Sequence, residues 1–124
     1  MSTIALTTQT FDETVTKGTV FVDFWAAWCG PCRMFSPVFD ALSDSYPDAV
    51  FAKVDIDAEP QLAQGLGIQS VPTLMAFRDG YLVFAQPGAL NRAGLTSVIT
   101  QVNGLDMETL KAQAEAAAAA EAAS

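Results

Sequence analysis

The stretch Val20-Phe21-Val22-Asp23-Phe24-Trp25 is apolar on both of its alternating sets of positions except at Asp23. A strand covered on both faces has that composition, so the run predicts a central strand with one carboxylate directed at a core. Val50-Phe51-Ala52-Lys53-Val54-Asp55 repeats the pattern with Lys53 as its interior ionisable residue and predicts a second core strand. Residues 73–78 and 81–85 flank Asp79-Gly80, a pair suited to the two-residue turn of a β-hairpin. Between these runs the apolar period becomes that of a helix. Thr10-Phe11-Asp12-Glu13 has the Thr-x-x-Glu form of a capping box and predicts a helix near 11–17, stopped by Gly18. Met34, Phe35, Val38, Phe39 and Leu42 predict a helix from the second cysteine to about Tyr46, bent by Pro37. Pro60 opens a short helix ending at Gly65 or Gly67. Leu95, Val98, Ile99 and Val102 mark one face of a helix that starts near Asn91 and closes at Asn103-Gly104. The order strand, helix, strand, helix, hairpin, helix predicts an α/β fold, a mixed sheet with helices on its faces.

Composition divides the 124 residues unevenly. Nine of the last twenty are alanine, and only Leu105, Met107 and Leu110 are larger apolar side chains there. The core therefore belongs to residues 1–104, a single domain, and residues 105–124 form an Ala/Glu-rich extension. Asp106 can cap a helix in it, but such a helix is only marginally stable alone. A helical or partly disordered solubilising tail and a partner-binding or anchoring helix both remain open. A net charge of −8 has the wrong sign for gripping a phosphate backbone, so nucleic acid is not an expected partner. No apolar run is long enough to span a membrane, and the first lysine is Lys17, so no cationic signal-peptide start is seen; a cytoplasmic protein is expected.

The absence of histidine removes Ser-His and Cys-His nucleophile pairs and imidazole metal sites together. What remains is Cys29 and Cys32, two residues apart at a helix start. That spacing lets the pair close a small disulfide ring reversibly. The helix N-terminus lowers the pKa of Cys29, the candidate nucleophile, and Cys32 stands close enough to resolve the mixed disulfide that follows. With no further cysteine or histidine, a static disulfide or half of an intermolecular zinc site is the weaker reading.

Trp28-Cys29-Gly30-Pro31-Cys32, with Asp23-Phe24-Trp25-Ala26 before it and Val71-Pro72-Thr73 after it, resembles the thioredoxin family over about residues 4–102. The resemblance implies a thioredoxin fold, a central mixed β-sheet flanked by α-helices on both faces, here with an Ala-rich C-terminal helical tail. It implies that Asp23 is a buried carboxylate behind the cysteines, accepting the proton of Cys32, with its pKa raised toward neutrality. An Asp23 reaching solvent at a strand end is the plainer reading. Lys53 would be the cation that tunes Asp23, or else a surface lysine laid along the sheet. Pro72 would be a cis proline facing the disulfide, leaving Val71 to offer backbone groups to an extended substrate. Trp28, Gly30 and Pro31 would shape the site. Trp28, Pro31, Gly67, Ile68, Val71, Pro72, Gly88 and Ala89 would form an apolar docking surface; for Gly67 and Gly88 ordinary turn geometry is the alternative. Arg33 stands where lysine is commoner in the family, and Pro87 precedes Gly88 at the docking edge.

Function follows from the same resemblance: a protein-disulfide reductase contributing to cell redox homeostasis, acting as a monomer on disulfide-containing proteins. It binds no cofactor and lacks a Gly-x-Gly-x-x-Gly loop, so its reducing equivalents come from NADPH through thioredoxin reductase. A thiol oxidase or isomerase on the same fold, and a scaffold whose dithiol is idle, are the competing readings; Gly30-Pro31 argues against the first.

Overall fold

A computed structural model of the protein describes residues 2–123. Its centre is β2 (Thr19–Trp25), which pairs in parallel with β3 (Val50–Asp55) on one edge and antiparallel with β4 (Thr73–Arg78) on the other. β1 (Thr3–Ala5) adds in parallel beside β3, and β5 (Tyr81–Pro87) antiparallel beside β4, giving the order β1-β3-β2-β4-β5. The mixed five-stranded sheet is the expected fold, with one strand more than the pattern announced. β1 has three residues, one half-buried and two exposed, so it carries no alternation to read.

The pleat of β2 separates two cores. Phe21 packs with Phe51 and with Phe35, Phe39 and Leu42 of α2 (Gly30–Ser43) and the apolar face of α4 (Arg92–Asn103). Val20, Val22 and Phe24 face the other way, onto Phe11 and Val15 of α1 (Phe11–Val15) and Leu62 of α3 (Pro60–Gly65). Asp23 therefore points with Phe21 toward α2. Its register partner on β3 is Lys53, on the same face as Phe51.

Several local expectations changed. Thr10 is helical and its side chain does not cap α1; its hydroxyl oxygen instead accepts the Thr7 N–H at 3.0 Å, so the capping box does not form. Gly18, left-handed at φ 68°, does not follow the last residue of α1 directly. It takes the Asp79 N–H at 2.8 Å and gives its own N–H to Asp79 Oδ1, tying the α1–β2 loop to the hairpin. At that hairpin Asp79 and Gly80 both have positive φ, as a type I′ turn requires. α2 stops at Ser43, short of Tyr46, and contains Pro37. α4 starts as expected from Asn91, whose side chain accepts the Gly94 N–H at 2.8 Å.

The C-terminal segment forms α5 (Met107–Ala123). Asp106 accepts the Thr109 N–H at 3.2 Å, Met107 is buried, and Lys111 pairs with Asp79 at 2.9 Å. Among the described residues no helix is long and apolar enough to cross a membrane.

Phe39 links the layers, its ring 5.7 Å from Phe35 and 5.2 Å, edge-on, from Phe51. Phe39→Ala is expected to lower the unfolding free energy by about 3–5 kcal/mol, read as a fall in urea midpoint at constant slope. A loss below about 1 kcal/mol would show that this ring does not seat α2 on the sheet.

Candidate active site

β2 ends at Trp25, and the chain turns through Ala26 and Ala27, with the Cys29 N–H bonded to the Ala26 carbonyl at 3.2 Å, before entering α2. Cys29 is the N-cap, in extended conformation, and Gly30 and Pro31 are the first exposed helical residues. Proline fits there because the opening turn of a helix leaves its N–H groups without partners in any case. Cys29 and Cys32 are joined in a disulfide with Cα atoms 5.3 Å apart. Cys29 Sγ accepts the Cys32 N–H at 3.1 Å, so sulfur takes the place of the usual capping oxygen. The helix N-terminus therefore offers a donor and a positive partial charge to any negative charge that develops on Cys29.

The two sulfurs face different surroundings. Cys29 Sγ lies 3.5 Å from the Val71 carbonyl oxygen, and Cys29, itself buried, follows Trp28, which is 67% exposed. Cys32 faces inward and lines a cavity of about 180 Å³ with Trp25, Ala26, Ala27, Arg33, Ser36 and Lys53. Trp28 is held by its indole N–H, which donates to Asp57 Oδ2 at 2.9 Å, and Arg33 donates to the Ala27 carbonyl at 3.0 Å. The Val71–Pro72 bond is cis, and the Pro72 carbonyl accepts the Gly88 N–H at 2.8 Å. Gly67 and Gly88 have φ of 72° and 104°, a conformation that favours glycine. Gly67 and Ile68 line a neighbouring groove with Ser70, Leu82 and Pro87, while Ala89 is exposed beside Gly88.

Asp23 is fully buried, and among the described residues neither of its carboxyl oxygens has a hydrogen-bond partner. Burial pushes its pKa up from 3.8 to about 7; the Lys53 charge opposes the rise and the Asp40 charge adds to it. Lys53 is half-buried, with a charge that acts on Asp23 and a partner elsewhere. Its ammonium pairs with Asp40 Oδ1 at 2.9 Å and donates to Ser36 Oγ. The sequence pattern did not single out Ser36 or Asp40. The signal was present, because Cys32, Ser36 and Asp40 follow one another at four-residue spacing and form a polar row on an otherwise apolar helix.

A disulfide that closes the first turn of a helix, beside an exposed surface, is the apparatus of a dithiol–disulfide oxidoreductase. Comparison with known proteins agrees. The Thioredoxin family model matches residues 2–101. A Streptomyces coelicolor protein provisionally named thioredoxin 2 is 55% identical over 116 residues, 92% of this chain and 87% of its own length. Thioredoxin 1 of Synechococcus elongatus is 44% identical over 98 residues, covering 77% of this chain and 92% of its own. The crystal structure of the Malassezia sympodialis thioredoxin superposes with a TM-score of 0.75 at 35% identity, covering 82% of this chain and 94% of that one. The chain belongs to the thioredoxin family, and its chemistry is dithiol–disulfide exchange with protein disulfides at Cys29 and Cys32.

Burial of Asp23 makes stability depend on pH. The folded protein holds this proton more tightly than the unfolded chain, so ionisation adds no cost below about pH 4 and progressively more as pH rises to about 7. Asp23→Asn, unfolded by urea in the disulfide form, is expected to gain on the parent by about 4 kcal/mol between about pH 4 and pH 8. A gain under about 1 kcal/mol would mean that the carboxylate is solvated in the folded state.

Proposed function

We propose that the protein is a general reductase of protein disulfides and that Cys29 opens the reaction. The supporting observation is the placing of its sulfur at the N-terminus of α2, where it accepts the Cys32 N–H and lies against the Val71 carbonyl, while Cys32 lines the cavity. Cys29 thiolate attacks one sulfur of a substrate disulfide, the other sulfur leaves with the bonding electrons, and a mixed disulfide forms. Cys32 then gives its proton to Asp23, and its thiolate attacks Cys29 Sγ. The Cys29–substrate bond breaks, the second substrate sulfur leaves as thiolate and takes a proton, and Cys29–Cys32 is oxidised by two electrons. A carboxyl group with a pKa of about 7 suits this exchange at neutral pH.

Trp28, Pro31, Val71, Pro72 and Gly88 form the surface on which an extended substrate segment lies, with Gly67, Ile68 and Ala89 extending it; Lys53 tunes Asp23. The protein works as a monomer, since one chain supplies both thiols and the carboxyl group. Its disulfide is reduced again by a thioredoxin reductase drawing on NADPH, in the cytoplasm, and it carries no cofactor of its own. Its partners are that enzyme and disulfide-containing proteins.

Reduction of insulin disulfides by dithiothreitol tests the assignment. The protein is expected to accelerate it, Cys29→Ser to abolish the acceleration, and Cys32→Ser to accumulate a mixed disulfide at Cys29; equal activity in Cys29→Ser would refute the roles given to the two cysteines. We also propose that residues 1–104 are the catalytic domain. A chain ending at Gly104 is expected to keep insulin reduction within about twofold, while losing the Met107 and Lys111 contacts and some thermal stability. A tenfold loss of activity in a folded truncated chain would make α5 part of the machinery.

A further inference from the structure

The Lys53 ammonium is the nearest cation to Asp23 along the sheet, one strand away in register, at a strand spacing of about 4.8 Å. Nevertheless it is bonded elsewhere. It donates to Ser36 and forms an ion pair with Asp40, successive members of the row on α2 that begins at Cys32. All three groups are largely shielded, the Lys53 and Asp40 side chains being 19% and 14% exposed, so little water competes for the ammonium. The flexible stem of lysine lets its charge settle wherever the best acceptor lies. An ionised Asp23 would offer such an acceptor, since among the described residues its oxygens are unpartnered.

We propose that Asp40 and Ser36 are positioning residues: they hold the Lys53 ammonium against α2 and away from Asp23, and thereby set the pH at which Asp23 exchanges its proton. The idea rests on the proposed role of Asp23 as proton acceptor only for its consequence in the reaction. While Asp40 is paired with Lys53, its charge offsets part of the pull of the ammonium on Asp23. Once that partner is removed, Asp23 faces an uncompensated cation free to swing toward it, and its ionised form is favoured. A carboxylate fixed in the charged form is a weaker base toward Cys32. The charges that act on Asp23 are those of Lys53 and Asp40. α2 begins with Cys29 and Cys32, whose sulfurs do not titrate while joined to each other; Arg33 lines the cavity with Lys53, and Asp55 ends β3, where it accepts the Asp57 and Ala58 N–H groups. β4 brings Leu74 opposite Asp23, and the buried face of α4 is apolar.

The test is the carbon-13 carboxyl shift of Asp23, followed against pH in the disulfide form of the full chain. Asp40→Asn is expected to lower the midpoint by about one pH unit or more, and Asp40→Glu to restore at least half of the shift. Ser36→Ala, which removes an anchor but no charge, is expected to shift it the same way by less. In a Lys53→Met background the Asp40→Asn shift is expected to fall below half. An unmoved midpoint in Asp40→Asn overturns the proposal. So does an equal shift with and without Lys53, since Asp40 would then act by its own charge; no shift in Ser36→Ala removes Ser36 from the clamp. The pH profile for resolution of the mixed disulfide separates the two ideas. If the Asp23 midpoint moves and that profile does not, the clamp stands and Asp23 loses its role as proton acceptor.

Discussion

Enclosing a carboxyl group in the middle of the best-paired strand is the constraint around which this molecule is arranged. β2 is hydrogen-bonded on both edges and covered on both faces, so Asp23 has no route by which to reach water, and among the described residues it has no hydrogen-bond partner. An apolar residue would sit there at lower free energy. The expense is tolerated because the aromatic layer around it, Phe21, Phe35, Phe39 and Phe51, is tightly interleaved. A few residues further along the chain, the opposite bias operates. The first turn of α2 welcomes negative charge at Cys29, whereas the strand interior resists it at Asp23. One junction, the end of β2 running into α2, thus separates two acids by environment alone.

Much of this was legible in the chain because the strands carry their burial in their composition. Phe21, Asp23 and Trp25 alternate with Val20, Val22 and Phe24, and the odd residue in that list is the one ionisable group. The hairpin could be read from Asp79-Gly80, since few other pairs accept positive φ at both positions. The illegible parts have physical reasons. β1 is too short and too exposed to show a period. The Thr10 motif was pre-empted by a local exchange with Thr7, which satisfies the same hydroxyl without a helix. The pairing of Lys53 with Asp40 depends on how α2 lies across the sheet, a distance in space that spacing along the chain does not encode.

α2 serves two layers. Its apolar ridge, Phe35, Phe39 and Leu42, belongs to the core, and its row of Cys32, Ser36 and Asp40 carries a cysteine of the disulfide and the two partners of Lys53. Pro37 stands between them, and without its N–H the Arg33 carbonyl has no helical donor one turn on. Packing and chemistry are thus coupled through one rigid element, so a change that shifts the helix moves both the sulfur and the acceptor of the lysine.

Asp79 joins three elements at the end of the sheet remote from the disulfide. It turns the hairpin, takes the Gly18 N–H, and receives Lys111 of α5. β4 begins at Thr73, beside the cis proline, and ends at Arg78, so α5 is moored about a strand's length, roughly 17 Å, from Cys29. Beyond Lys111 the helix runs on for roughly 18 Å with little but alanine on its surface. The mooring at Asp79 makes the first turns of α5 a natural point of attachment. A fluorophore or a solid support fixed there would stand at the end of the sheet away from Cys29 and leave the face around Trp28 free to meet its disulfides.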